Sequence, residues 1–363
     1  MNNSKTIFIN TAAKLGELVN TLSKETEIAV DTESNGLFAY QEQVCLIQVS
    51  IPGKDYIIDP LAIKDMSLLA PIFADPKILK ILHAAEYDVI CLKRDFGYQI
   101  NNLFDTMLAS RVLGIRTLGL GKILEERFKV RVQKKYQRAD WGKRPLPQEM
   151  INYATMDTRY LHRLKDQLST ELEAMDRQAL AAEEFVRISM VNGSERTSLE
   201  DHLRKLAVAN KLSPQSNAVM MELLKTRDKM ARKRDVPVFK VIGDKSLVEV
   251  AHFMPQSYKE LDRLETISPR ISSRHARWLL EGVRKGSTKE GIRVKRKKRW
   301  DGAYAHRLDQ IKKWRRRKAE GMDVESDVIL PREIMEALAW KEPANDAALK
   351  EIMEIIPWRF DHF

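Results

Sequence analysis

Residues 28–60 read IAVDTESNGLFAYQEQVCLIQVSIPGKDYIIDP, and the fold turns on this stretch. Three β-branched runs, IAV, CLIQVSI and DYIID, are separated by SNG and PGK, clusters in which glycine supplies the positive φ of a tight turn. The pattern predicts a three-strand antiparallel meander. A fourth strand is expected in ILKILHA at 78–84, just before AEYDVICLKRDFG, where Val89, Cys91, Leu92 and Phe96 recur at near-helical spacing and Gly97 marks the stop. Beyond it two more helical patterns follow, over 119–128 and 147–189, the second opening at Pro145 and Pro147. Strands first and helices afterwards predict an α/β domain, helices on both faces of a mixed sheet, ending near residue 190.

The chain has 363 residues, which implies two or three domains. A hydrophobic fraction of 44% excludes wholesale disorder, and 62 Lys and Arg against 51 Asp and Glu leave +11, pointing to a polyanionic partner or surface. No apolar run approaches the ~18 residues that span a bilayer. The opening MNNSKTIFINTAAKLGEL lacks a basic flank followed by an apolar core, so secretion and membrane insertion are disfavoured and a cytoplasmic location is expected. Cys45 and Cys91 sit in the apolar runs VCLIQV and VICL, which reads as packed thiols in a reducing compartment with no disulfide partner and no structural zinc site.

After the polar joint VNGSERTSLE at 191–200, the remainder is all helical and contains a repeat. A shift of 88 positions places Arg227 on Arg315, Ala231 on Ala319, Val241 on Ile329, Val250 on Leu338, Ala251 on Ala339, Pro255 on Pro343 and Leu261 on Leu349. Between the copies, residues 291–318 hold 13 Lys or Arg against Asp301 and Asp309 alone, a formal charge equal to the excess of the whole chain. Trp300 and Trp314 interleave with that charge in a way that suits phosphate contact and base stacking; a solvated linker or helix face is the alternative.

A strand ending in Asp-x-Glu presents both carboxylates on one face, as Asp31 and Glu33 do; Asp323 and Glu325 repeat the spacing with no strand before them. Tyr-x-x-x-Asp occurs at Tyr136/Asp140, Tyr153/Asp157 and Tyr258/Asp262. Only Tyr153 and Asp157 fall inside a proline-started helical pattern, where a separation of four brings both side chains to one face. Hard divalent cations prefer carboxylate oxygens, and two of them can stabilise the attacking and leaving oxygens of a phosphodiester. A tyrosine hydroxyl one turn from such a ligand can hold a water in line.

In order, VDTESNGL, HAAEYDVICL, FDTMLASRVLG and YQRADWGKRPLPQEMINYATMDTRYL closely resemble the ribonuclease D family, DEDD 3′-to-5′ exonucleases of the tyrosine subclass, over roughly residues 25–190. The resemblance implies an α/β RNase H-like exonuclease domain, a mixed five-stranded sheet with flanking helices. It implies that Asp31, Glu33, Asp88, Tyr153 and Asp157 are catalytic. Asp31, Glu33 and Asp157 would hold one of two Mg²⁺ or Mn²⁺ ions, Asp31 and Asp88 the other, and Tyr153 would orient water. Asp105 also belongs to the pattern and reads as a structural or supporting acid, with direct metal binding the other reading. Lys135 and Trp141 are the implied substrate contacts, with packing the other reading of Trp141, and His83 is expected to be structural because these metals favour oxygen.

The module LLKTRDKMARKRDVPVFKVIGDKSLVEVAHFMPQSYKEL resembles the HRDC domain, and WRRRKAEG, ILPREIMEALA and KEP keep elements of a divergent second copy. The expected organisation is an exonuclease domain at 1–190, a linker at 191–211, two all-α HRDC-type domains at 212–290 and 304–363, and a basic linker at 291–303 between them. The implied function is a 3′-to-5′ exoribonuclease that releases nucleoside 5′-monophosphates and trims the 3′ ends of precursor tRNA and other small structured RNAs. Two rivals stand beside it. A DNA-directed exonuclease of the same superfamily uses the same five residues, and a non-catalytic RNA-binding adaptor would suit the charge and the HRDC modules, although filled acidic positions argue against it.

Overall fold

The structure, a computed structural model, describes residues 5–132, 135–193, 197–294 and 302–363. The KRKKRW run with Trp300, and Asp301 after it, lie outside them. The described residues within Met1–Ser34, Gln43–Gly193 and Trp300–Phe363 form one compact unit, and those within Asn35–Glu42 and Ser194–Arg299 form another.

The first unit begins with β1 (Lys5–Ile9), α1 (Ala12–Leu22), β2 (Glu27–Ser34), β3 (Val44–Ile51), β4 (Lys54–Ile58), α2 (Ala70–Ala74), β5 (Leu79–Leu82), α3 (Glu86–Phe96) and β6 (Leu103–Asp105). Helices α4 (Thr106–Val112), α5 (Leu120–Phe128), α6 (Gln148–Arg159), α7 (Leu161–Ala174) and α8 (Gln178–Ser189) follow. The sheet runs β1-β4-β3-β2-β5-β6. The meander β2-β3-β4 is antiparallel, while β1 joins β4, and β5 and β6 extend from β2, all in parallel. Every residue of β3 is buried, as expected of a central strand covered on both faces. On one face Leu46 and Ile57 pack against Met150 and Ala154 of α6; the main core, with Ile47, Val49 and Ile58 of the strands and Val89 and Leu92 of α3, is separate from it.

Among the described residues the sheet therefore has six strands rather than the expected five. The outer strands β1 and β6 are short, and β6, three residues long, offers too little alternation to be read from sequence. The helical stretch at 147–189 divides into α6, α7 and α8, broken at Tyr160 and again near Asp176, whose φ is 52°. Gly97 ends α3 in the left-handed conformation, with φ 69°, that its residue type permits.

The second unit holds α9 (Leu199–Ala209), α10 (Pro214–Lys233), α11 (Val238–Val241), α12 (Asp244–Phe253), α13 (Tyr258–Leu261) and α14 (Pro269–Ser287). The stretch 191–211, expected as linker, thus contains α9, whose Leu203 and Ala207 are buried in this helical core. In the first unit the chain ends with α15 (Gly302–Met322), α16 (Ser326–Ile329), α17 (Arg332–Lys341), α18 (Asp346–Ile352) and α19 (Pro357–His362). The repeat extends to the bounds of elements: α11 and α16, and likewise α12 and α17, start and stop 88 residues apart. The left-handed residues Asp235 and Met254 recur as Asp323 and Glu342.

Trp314 does not stand free for a base. It is half-buried against the apolar cluster of Leu330, Ile334, Met335, Met353 and Ile356. The last helix is fixed by Arg359, fully buried, which donates to Glu183, to Glu184 at 2.6 Å and to the Val328 carbonyl at 2.9 Å. Removing one member of such a buried ionic group costs ~3–5 kcal/mol, because the partners are left charged and desolvated. Among the described residues no helix is long and apolar enough to cross a membrane. Cys45 and Cys91 are both buried, and among the described residues neither forms a disulfide.

Candidate active site

The site is built where β2 runs out. Strand alternation puts Asp31 and Glu33 on the face covered by α6 and turns Thr32 to the other face. Pairing of β2 with β3 becomes irregular between Glu33 and Ser34. Helix α6 starts after Pro147, whose φ of −60° suits a helix entrance, and crosses β3, β4 and β2. One turn apart on α6, Tyr153 and Asp157 arrive over the end of β2. One carboxylate oxygen from each of Asp31, Glu33 and Asp157 lies within 4.8 Å of the others.

Asp88 comes from α3. Its Oδ1 accepts from the Thr32 backbone N–H at 3.0 Å and from Thr32 Oγ1 at 2.5 Å, so it is held beside the three acids rather than among them. Its helix is itself anchored. Asp105 caps α4 by accepting from Met107 and Leu108 N–H, and the same carboxylate accepts from Ala84 at 3.0 Å and Ala85 at 2.7 Å, at the entrance to α3. Asp105 is thereby committed to four backbone donors and positions the helix that carries Asp88. His83 is bonded through Nδ1 to Thr106 Oγ1 at 2.9 Å, and burial lowers its pKa, in keeping with a structural histidine.

Like charges this close are costly: two unit charges ~4.8 Å apart repel by ~3.5 kcal/mol at an effective dielectric of ~20. Burial, then the charges of Asp88, Asp157 and Glu33, hold Asp31 well above the usual carboxylate range. Burial, then Asp157 and Asp88, push Glu33 up to about 9. Asp157 is pushed up to about 7 by burial and Asp88, and Asp88 to about 7 by burial, against the lowering effect of the Thr32 bonds. Burial and the neighbouring acids also raise Tyr153, so its hydroxyl keeps its proton at neutral pH. An oxygen-only donor set, largely desolvated and short of positive charge, fits hard divalent cations.

Of the implied substrate contacts, Lys135 is exposed, its Nζ 5.0 Å from the Tyr136 ring centroid, and that ring meets Tyr153 edge-on at 6.0 Å. Trp141 is only 2% exposed, packed with Cys45, Leu46 and Met150. A face so buried cannot stack on a base, which corrects the substrate reading of Trp141. The other look-alike motifs fall elsewhere. Tyr136 and Asp140 lie in a turn segment, Tyr258 is exposed on α13, and Asp323 and Glu325 are exposed partners of Arg116 and Arg111.

Two residues escaped the sequence reading. Thr32 was signalled only by its place between two acids on a strand, which turns it toward α3. Arg144 donates to Asp59 at 2.7 and 2.8 Å and to the Cys45 and Trp141 carbonyls, fastening the segment before α6 to the sheet. No local pattern marks such a long-range clamp.

An acidic pocket at the end of a meander strand, closed by a helix bearing tyrosine and aspartate, is the architecture of a 3′–5′ exonuclease. Residues 6–173 match the 3′-5′ exonuclease family, and residues 216–283 and 305–363 each match the HRDC domain. The chain is 30% identical over 286 residues to Ribonuclease D of Desulfotalea psychrophila, covering 78% of this chain and 76% of that protein. It is also similar to the crystal structure of Escherichia coli RNase D, with a TM-score of 0.72, 28% identity and coverage of 97% and 100% of the two chains. The chain belongs to the ribonuclease D family. Similarity extends to Protein RRP6-like 3 of Arabidopsis thaliana, 31% identical over 74% of this chain, which spans about 33% of that relative's length.

Proposed function

We propose that this protein is a 3′-to-5′ exoribonuclease that removes nucleoside 5′-monophosphates one at a time from a single-stranded 3′ end. The observation that carries the reading is the approach of Asp31, Glu33 and Asp157 to within 4.8 Å of one another, one helical turn from Tyr153. Asp31, Glu33 and Asp157, with Asp88 alongside, would hold two Mg²⁺ or Mn²⁺ ions. When bound, such ions supply charge neutralisation at the phosphodiester and a more acidic water. The side chains do the rest. Thr32 and Asp105 keep Asp88 facing the acids, and Asp157 rides on the same helix as Tyr153. The protonated Tyr153 hydroxyl positions the water by hydrogen bonding rather than by removing its proton.

Single-stranded RNA as substrate is supported by the ribonuclease D relatives, by the +11 charge and by the two HRDC modules. The finer reading is 3′ trimming of precursor tRNA and other small structured RNAs, in the cytoplasm. Lys135 at the rim would contact a substrate phosphate.

The test is digestion of a 5′-labelled RNA oligonucleotide and a DNA of the same sequence, with Mg²⁺, with Mn²⁺ and with chelator, by wild type and Asp31→Asn. Stepwise RNA shortening that chelator and Asp31→Asn both abolish is expected. Faster loss of DNA would overturn the RNA assignment, and equal trimming by wild type and Asp31→Asn would overturn the metal site.

A further inference from the structure

Gln48, at the centre of β3, is fully buried, and among the described residues neither its Nε2 nor its Oε1 has a hydrogen-bond partner. A desolvated polar group left unbonded costs ~1–3 kcal/mol, and this amide carries a donor and an acceptor in that condition. Its neighbours limit what can satisfy it. In the strand ladder Gln48 stands directly opposite Asp31 on one side and Ile57 on the other. Leu46 and Ile57 pack under Met150 and Ala154 of α6, so period-two alternation places Gln48 on that same face.

Along β3, Leu46 offers no polar atom. Ser50 is already committed, with Oγ donating to Asp55 Oδ1 at 2.6 Å and 2.7 Å from Thr158 Oγ1. Directly opposite residues of an antiparallel pair have Cβ atoms ~4.5–5.5 Å apart, within reach of a glutamine amide and a carboxylate. Asp31 is therefore the ladder neighbour whose carboxylate, with two acceptor oxygens, can take the Gln48 amide.

We propose that Gln48 is a positioning residue for the metal-binding acids: its amide, unbonded among the described residues, turns so that Nε2–H donates to the Asp31 carboxylate when a divalent cation is held there, fixing the orientation in which Asp31 meets the ion. This rests on the metal reading given above. The chemistry favours an amide for the task. An ionised carboxylate is acceptor-only, so it takes a donor readily, and a neutral donor does not compete with a cation as a lysine or arginine would. Oε1 then remains to accept from a buried water, which a polar interior site can host. Groups that orient metal ligands in this way typically change metal affinity or activity by ~10–100-fold when removed.

The decisive variant is Gln48→Met, close in shape and unable to hydrogen-bond. Mn²⁺ binding to the full chain is measured by calorimetry, the thermal unfolding midpoint is taken without metal, and kcat and KM are measured on a single-stranded RNA oligonucleotide. The expected result is an unfolding midpoint equal to or above that of wild type, Mn²⁺ affinity and kcat each lowered at least tenfold, and KM within twofold. Wild-type Mn²⁺ affinity and kcat in a folded Gln48→Met would overturn the proposal and leave the metal reading standing. A wild type that takes up no Mn²⁺ would overturn both. Should Gln48→Met fail to fold, the wild type is labelled with ¹⁵N-glutamine and titrated with Mg²⁺: a shifted Gln48 side-chain amide signal supports the proposal, and an unmoved one overturns it.

Discussion

Thr32 donates twice to a single oxygen of Asp88, through its backbone N–H at 3.0 Å and its hydroxyl at 2.5 Å, joining the middle of the Asp-x-Glu strand to the helix that carries the next acid. These bonds favour the charged carboxylate and oppose the rise that burial imposes on it. Thr32→Val keeps the shape and removes the hydroxyl bond, which as a charge-assisted bond is worth ~1.5–3 kcal/mol. Asp88 then ionises at higher pH, so the acid limb of the kcat/KM profile should move upward and activity at pH 7 should fall about tenfold. A profile superimposable on that of wild type would show that this link does not tune Asp88.

Stability without metal should fall as pH rises. Glu33, at about 9 in the fold against an ordinary value of 4.5, and Asp88 and Asp157, at about 7 against 3.8, bind more protons folded than unfolded. Their contribution is fully present below the unfolded values and is lost as pH climbs through the folded ones, from about 4 to about 9. Divalent cations replace those protons, so the gain in Tm from Mn²⁺ should grow across the same window. Parallel Tm-versus-pH curves in Mn²⁺ and in chelator would refute the coupling.

Tyr153→Phe should leave Mn²⁺ affinity and Tm near those of wild type, because the ring packs with Tyr136 and Trp141 while the hydroxyl faces the acids that raise its pKa. Loss of a water-positioning hydrogen bond should lower kcat by ~10²-fold. Undiminished single-turnover cleavage by this variant would remove Tyr153 from the chemistry.

Arg315 and its repeat mate Arg227 have the same task, donating to the carbonyls of Leu330 at 2.7 Å and Ile242 at 3.2 Å, themselves 88 residues apart. Arg315→Ala should destabilise by ~1.5–3 kcal/mol in urea unfolding, and Arg316→Ala, exposed, by under ~0.5 kcal/mol. RNA binding by α15 is therefore tested on its exposed cations. Lys312, Lys313, Arg316 and Arg317 changed together to Ala should lessen the salt dependence of RNA affinity by ~0.7 in log–log slope for each phosphate no longer neutralised. An unchanged slope would make this face merely solvated.

The amino-acid sequence by itself determined the meander, the α3 stop at Gly97, the helical repeat and the pairing of Tyr153 with Asp157, because each rests on a local period or a turn residue. It also offered Asp31 and Glu33, since alternation puts two strand carboxylates on one face, and the preceding strand and the family resemblance set them apart from Asp323 and Glu325. Tertiary structure decided the rest. The local sequence suits Trp141 to packing and to stacking alike, and burial decides for packing; Trp314 is claimed by a helical core for the same reason. The outer strands β1 and β6 become strands by pairing with distant neighbours, β4 and β5, rather than by their own pattern. Asp105 and Arg144 are tied to partners tens of residues away along the chain. Such neighbours depend on where the folded backbone brings donors, acceptors and charges together, and no spacing along the chain encodes that.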